Sequence, residues 1–369
     1  MEDSTNDKSA FSNVLNRKKL TRRVRTAINQ GTKRLDGSGR SRNNKDACLA
    51  ACKVPKPTIR NEAEEGASAL NIVEEILSKD IHGITRDYLQ FFKGRPNPAE
   101  YSSFLLPENR PKNRYRDILC LELSRVKLKD HKNDYIHANY VKTLKGEKTF
   151  IATQGPLEKT CADFWRMTFD EVEFIVMLCQ FIEEGRTKCF KYYPNVVGQA
   201  LAFGGYVVTC VKENETTDLN LKDLQLKVEC EGVVKNIRHI NWISWPDRLV
   251  PPLGDTIINV LNITRVSTKP IVVHCSAGIE KMNAQSNKYE SSAVTGKELR
   301  AHRYGAIQTD LQYLFAHATI ITYLMKNGKL DDNKSAGANR FLKTYQLIFE
   351  KLCAVVRVRK QITEDEQMA

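Results

Sequence analysis

IVVHCSAGIEKMNAQ occupies residues 271 to 285. Its opening apolar run is continuous, as in a strand buried on both faces. The run delivers His274 and Cys275 into Ser276, Ala277 and Gly278. Small residues there let backbone N–H groups converge on an anion, and the same nest favours a thiolate. The turn then closes on Ile279, Glu280 and Lys281, which put an acid beside a site meant for an anion and follow it with a flexible cation. The stretch reads as a phosphate-gripping nucleophile loop whose second half departs from that chemistry. A buried cysteine beside glycine is also a common structural element, so the rest of the chain decides between the two.

Short β-branched and apolar runs recur between residues 118 and 275: ILCLELSRVKL, YIHANYV, TFIAT, FIVMLCQ, YVVTCV, LQLKVEC and IRHINWISW. Several alternate with period two, which predicts antiparallel strands with one wet face. Helical spacing flanks them. EAEEGASALNIVEEILSK predicts an amphipathic helix from Glu62, and a second follows around Ile84 to Phe92, stopped by GRPNP. LQYLFAHATIITYLMKNGK and NRFLKTYQLIFEKLCAVVRVRK predict two more near the end. The fold class is α/β, with a mixed sheet and helices gathered at both chain ends.

The 369 residues are 41% hydrophobic, enough for one large core. The sequence contains no run of about 18 apolar residues, and no apolar stretch marks the N-terminus as a secretory signal, so a cytosolic or nuclear place is expected. Of the +13 net charge, +10 falls in the first 60 residues, where 15 Lys and Arg face 5 Asp and Glu. That segment is polar and poor in aromatics, which predicts a disordered basic arm suited to an acidic partner. Nucleic acid is not an expected partner, since nothing aromatic interleaves the basic residues. The 10 cysteines are irregularly spaced, as in a reducing compartment, and Cys48 and Cys52 lack the second pair a zinc site needs. No metal or cofactor is implied.

From about residue 85 to 355 the chain resembles the catalytic domain of the phosphotyrosine-specific protein tyrosine phosphatases. The resemblance rests on KNRYRDI at 112–118, DYIHANYV at 134–141 (the family reads DYINANYV), FIATQGP at 150–156, DFWRM at 163–167 and FIVMLCQFIEEGRTKCFKYYP at 174–194. WPD at 245–247, VHCSAGI at 273–279 and QTDLQY at 308–313 complete it in the family's order. It implies a single domain over residues 61–360 with a highly twisted mixed sheet, preceded by the arm at 1–60 and followed by a tail at 361–369.

The resemblance also implies roles. Cys275 corresponds to the nucleophile that takes the phosphoryl group, and Asp247, beside Trp245 and Pro246, to the general acid on a mobile loop. Gln308 would position the hydrolytic water, with Gln312 nearby. Tyr115 would stack on the phosphotyrosine ring, and Asp117 would hold the substrate backbone. Backbone N–H groups of Ser276, Ala277, Gly278 and Ile279 would line the phosphate. His274 would tune the cysteine, Lys188 would meet the closed acid loop, and Glu183 would pair with the cation at position 281. The implied partner is a phosphotyrosine protein or peptide.

The family loop reads HCSAGIGRTG where this chain reads HCSAGIEKMN. Lys281 keeps the charge of the family's arginine but not the planar fork that grips two phosphate oxygens. Glu280 replaces a glycine and adds a like charge beside a dianion. Residues 282–298 lack an apolar stripe, so no helix is expected where the family has one. Three readings follow: an impaired phosphatase fold that binds phosphotyrosine or a protein partner; an active phosphatase, slow as it stands or normal in a correctly spliced form; and a scaffold whose basic arm is the working part.

Overall fold

The computed structural model describes residues 62–91, 94–129, 132–142, 148–183, 185–246, 249–278 and 291–368. The basic arm, Asp247, Ile279, Glu280 and Lys281 lie outside these. In chain order the strands are β1 (Arg125–Lys127), β2 (Tyr135–Lys142), β3 (Lys148–Thr153), β4 (Phe174–Met177), β5 (Ile182–Glu183), β6 (Arg186–Thr187), β7 (Ala200–Phe203), β8 (Tyr206–Glu213), β9 (Leu221–Cys230), β10 (Val233–Trp242) and β11 (Ile271–His274). Among the described residues, nine of them form one twisted mixed sheet in the order β1-β2-β3-β11-β4-β10-β9-β8-β7, while β5 and β6 make a separate ribbon.

The parallel part is the centre: β11 runs parallel to β3 and to β4, and β4 parallel to β10. Ile271, Val272 and His274 are buried there, as the unbroken apolar run predicts. The flanks are antiparallel and alternate as expected, with Leu224, Leu226 and Val228 of β9 wholly buried. ILCLELSRVKL departs from expectation. Only Arg125–Lys127 pairs as a strand, because Leu119, Cys120 and Leu121 are buried consecutively and the irregular backbone turns each inward.

The longer helices are α1 (Glu62–Phe91), α2 (Cys161–Glu171), α3 (Thr256–Thr264), α4 (Ser292–His302), α5 (Asp310–Lys326) and α6 (Asp332–Met368). The two helices expected near residue 62 and residue 84 meet at Asp80, whose φ of 52° breaks α1. Asp80 then restarts the helix by accepting a hydrogen bond from the Gly83 N–H at 2.9 Å. Lys79 binds Glu75 before the break and Asp87 after it, each at 2.7 Å, which fixes the angle between the halves. α5 is buried on almost every side from Leu311 to Thr319, against α1 and α6, so it is a core helix rather than an amphipathic one. Among the described residues no helix is long and apolar enough to cross a membrane.

The expectation of no helix over 282–298 is corrected from Ser292 onward, while residues 282–290 lie outside the described residues. Ser292–His302 is helical, with the Ser291 side chain accepting from the Val294 N–H. Ala293, Gly296 and Leu299 are its buried positions, small enough that hydrophobic patterning misses them. Its first turn is held from outside, since the Glu75 carboxylate accepts from the Ser292 N–H at 3.0 Å and from its hydroxyl at 3.0 Å.

Candidate active site

Cys275 follows β11 at the carboxyl end of the parallel strands, where open α/β sheets hold ligands. Its Sγ accepts the Gly278 N–H at 3.1 Å. Gly278 has φ of 71°, and a Cβ there would be driven into the Thr153 carbonyl, so the turn requires glycine. Gly155 of FIATQGP meets the loop from the other side. Its N–H donates to the Ser276 carbonyl at 3.1 Å, and a Cβ would stand 2.9 Å from the Cys275 oxygen.

Tyr115 arrives through a chain of loop contacts. Arg114 donates through Nε to the Gly155 carbonyl at 2.9 Å and through Nη2 to the Pro156 carbonyl at 2.6 Å, while Gln154 spans Arg114 N and Lys112 O. The Tyr115 hydroxyl then lies 2.7 Å from the Ser276 Oγ, which donates to the Lys188 carbonyl at 2.9 Å. With the serine proton spent on Lys188, Tyr115 is the donor of the pair. The structure thus joins Tyr115, Ser276 and the Lys188 backbone directly. Asp117 is exposed at the rim. Glu183 accepts the Gln180 N–H at 2.8 Å on the β5–β6 ribbon.

His274 sits behind the cysteine in a buried polar chain. Tyr192 places its hydroxyl 2.7 Å from His274 Nε2 and 2.7 Å from His239 Nε2, and His274 Nδ1 is 3.3 Å from the Cys275 carbonyl. A carbonyl only accepts, so His274 carries its proton on Nδ1, Tyr192 donates to Nε2, and His239 donates to Tyr192. Burial pushes the His239 pKa far down, so that ring stays neutral.

Gln308 and Gln312 share one turn. Gln312 Oε1 accepts from the Gln308 N–H at 2.7 Å and the Thr309 N–H at 3.3 Å. Gln308 Oε1 and Gln312 Nε2 are buried with no hydrogen-bond partner among the described residues, one acceptor and one donor. The turn is strained at Ile307, a β-branched residue with φ of 58°, whose carbonyl is gripped by Arg300 at 2.8 Å and the Tyr88 hydroxyl at 3.2 Å. Trp245 packs on Trp242 and Phe315 and donates to the Leu249 carbonyl at 3.1 Å, tying together the two sides of the loop that carries Asp247. Pro246 is half-buried beside it.

Arg303, Tyr192, His239 and His137 belong to this neighbourhood and were not singled out by sequence. Arg303 is wholly buried, and its Nε and Nη2 donate to the Gly278 and Ala277 carbonyls at 3.1 and 2.9 Å. Its one signal in the sequence is RYG at 303–305, an arginine just ahead of a glycine turn.

The residue pattern of the protein-tyrosine phosphatase family matches residues 109–322, more than half of the chain. The human tyrosine-protein phosphatase non-receptor type 12 is 34% identical over 246 residues, which are 60% of this chain and 31% of that protein. The mouse receptor-type tyrosine-protein phosphatase eta is 36% identical over 249 residues, 61% of this chain and 20% of that one. This chain therefore spans less than a third of either relative. The solved catalytic domain of human protein tyrosine phosphatase non-receptor type 18 superposes with a TM-score of 0.56 at 26% identity, covering 71% of this chain and 99% of that one. The matched pattern and the superposition agree: the chain belongs to the protein-tyrosine phosphatase family.

Proposed function

We propose that this chain is a catalytically impaired phosphatase that retains a phosphotyrosine-binding groove. The observation that carries the reading is the sequence EKMN after CSAGI, where the family has GRTG. Cys275, Asp247, Tyr115 and Gln308 supply nucleophile, acid, ring platform and water-positioning amide, but Lys281 offers a point charge where a forked donor must follow the spreading charge of the transition state. The loss of one such donor costs about 10²-fold in rate. The related non-receptor type 18 phosphatase was solved in complex with HER2 phosphopeptides, which makes a phosphotyrosine peptide the ligand to test. A cytosolic or nuclear place and an acidic partner for the basic arm complete the proposal.

The test compares the natural chain, Lys281→Arg, and a chain with residues 280–283 replaced by Gly-Arg-Thr-Gly, using a phosphotyrosine peptide. The expected outcome is peptide binding by the natural chain, with turnover rising about 10²-fold or more in the four-residue replacement. Turnover in the natural chain equal to that of the replacement, and abolished by Cys275→Ser, would instead establish the second reading, an active enzyme. The intact Tyr115–Ser276–Lys188 chain favours that alternative.

A further inference from the structure

Arg303 is a buried guanidinium with no carboxylate in ion-pair range among the described residues. All five of its N–H groups find neutral acceptors. Nε binds the Gly278 carbonyl; Nη1 binds Asn139 Oδ1 at 2.7 Å and His137 Nδ1 at 3.2 Å; Nη2 binds the Ala277 carbonyl and shares His137 Nδ1 at 3.2 Å. The Ala277 carbonyl and the Gly278 N–H belong to one trans peptide and point in opposite directions. Arg303 holds the carbonyl side at 2.9 Å, while the N–H side donates to the Cys275 sulfur at 3.1 Å. The direction of that guanidinium therefore sets the direction of the donor on the nucleophile.

His137 can hold Arg303 only in one protonation state. Its Nε2 lies 2.9 Å from the Ile118 carbonyl, so the ring proton is on Nε2 and Nδ1 presents a lone pair. We propose that His137 is a positioning residue for the nucleophile turn, its unprotonated Nδ1 fixing Arg303 and, through Arg303, the Ala277–Gly278 peptide that holds the Cys275 sulfur. Around the ring stand the Phe104 edge, the Cys120 thiol bonded to the carbonyls on either side of His137, Lys112 with its partner Asp163, and Arg303. Of these, Arg303 is the charge that faces the imidazole. Burial first, and that charge second, lower the His137 pKa to about 3, which keeps Nδ1 open across the neutral range. Asparagine, which DYINANYV carries at this position, offers an acceptor oxygen but no titration.

The inference rests on Cys275 being the reactive thiol of the proposed site, so its test reads thiol chemistry and not turnover or peptide binding. The full chain is alkylated with iodoacetamide from pH 5.5 to 9, and modification of Cys275 is followed by peptide mass mapping. His137→Leu, which removes the acceptor at similar bulk, is expected to raise the midpoint by about one pH unit and slow alkylation about tenfold near pH 6.5. His137→Asn is expected to restore the natural midpoint. A folded His137→Leu chain with an unchanged Cys275 profile overturns the proposal. Nitrogen-15 NMR of the natural chain decides independently of any variant: Nε2–H with bare Nδ1 at pH 7 supports it, and a proton on Nδ1 overturns it. A chain that fails to bind or hydrolyse the peptide yet shows the midpoint shift loses the proposed function and keeps this inference.

Discussion

Gly278 concentrates the demands of the site on one backbone position. Its positive φ, the proximity of the Thr153 carbonyl and its N–H on the Cys275 sulfur are all met by the absence of a side chain. Gly278→Ala is expected to cost more than about 2 kcal/mol in urea unfolding, from left-handed strain plus overlap with Thr153. Cys275 alkylation should slow in the same variant, because the donor N–H moves. These demands are half legible in sequence. SAG after a buried strand announces the turn, since small residues at that point have few other uses. Arg303 does not announce itself, because an arginine at the end of a polar helical stretch normally reaches solvent. Only the meeting of that turn with β2 turns it inward, and such a meeting is not written in any local window. His137 shares the difficulty, since its alternating place in YIHANYV predicts burial but not what it faces.

At the scale of elements, α1 and α4 are joined by one carboxylate. Burial alone would raise the Glu75 pKa, yet hydrogen bonds from Lys79 and Ser292 outweigh it and hold the carboxyl below its ordinary value. The stabilisation is therefore present above the unfolded pKa near 4.5 and is lost as the pH falls through the folded value. Glu75→Gln is expected to lower stability by about 1.5–3 kcal/mol, the range for hydrogen bonds to a charged group. Amide hydrogen exchange should quicken selectively at the first turn of α4. Unchanged exchange there would mean that α4 is held by packing alone. The sequence fell short in this region for a physical reason: α4 buries Ala293, Gly296 and Leu299, too little apolar bulk to write a stripe, and its start is stabilised by a residue far upstream. β4, β9 and β11 were legible because burial on both faces, or alternation on one, leaves a record in hydropathy.

Across the whole molecule, acid sensitivity is set by buried imidazoles. His137, His239 and His317 all have pKa values lowered first by burial. The unfolded chain binds their protons near the ordinary value of 6.5 while the fold refuses them, so stability is complete above that pH and is lost as the pH drops below it. Each contributes a slope of about 1.4 kcal/mol per pH unit between the unfolded and folded pKa values. Urea unfolding measured between pH 6.5 and 5 should show the uptake of about two protons from His137 and His239, with His317 adding to them in the same direction, and His137→Asn should remove about one. A flat profile across that interval would contradict the burial of these rings.

The sheet order has a further consequence, for the assembly of the chain. The central strand β11 is the last strand in sequence among the described residues and lies between β3 and β4, both about a hundred residues earlier. Until Ile271–His274 has been synthesised, β3 and β4 have no common neighbour and each keeps a naked row of backbone donors and acceptors. Pairing at such separation is slow, since the loop must close before any contact rewards it. A ribosome-bound chain ending before Ile271 should be protease-sensitive and prone to aggregate. The strand that leads into Cys275 is thus also the one whose pairing joins the two halves of the sheet.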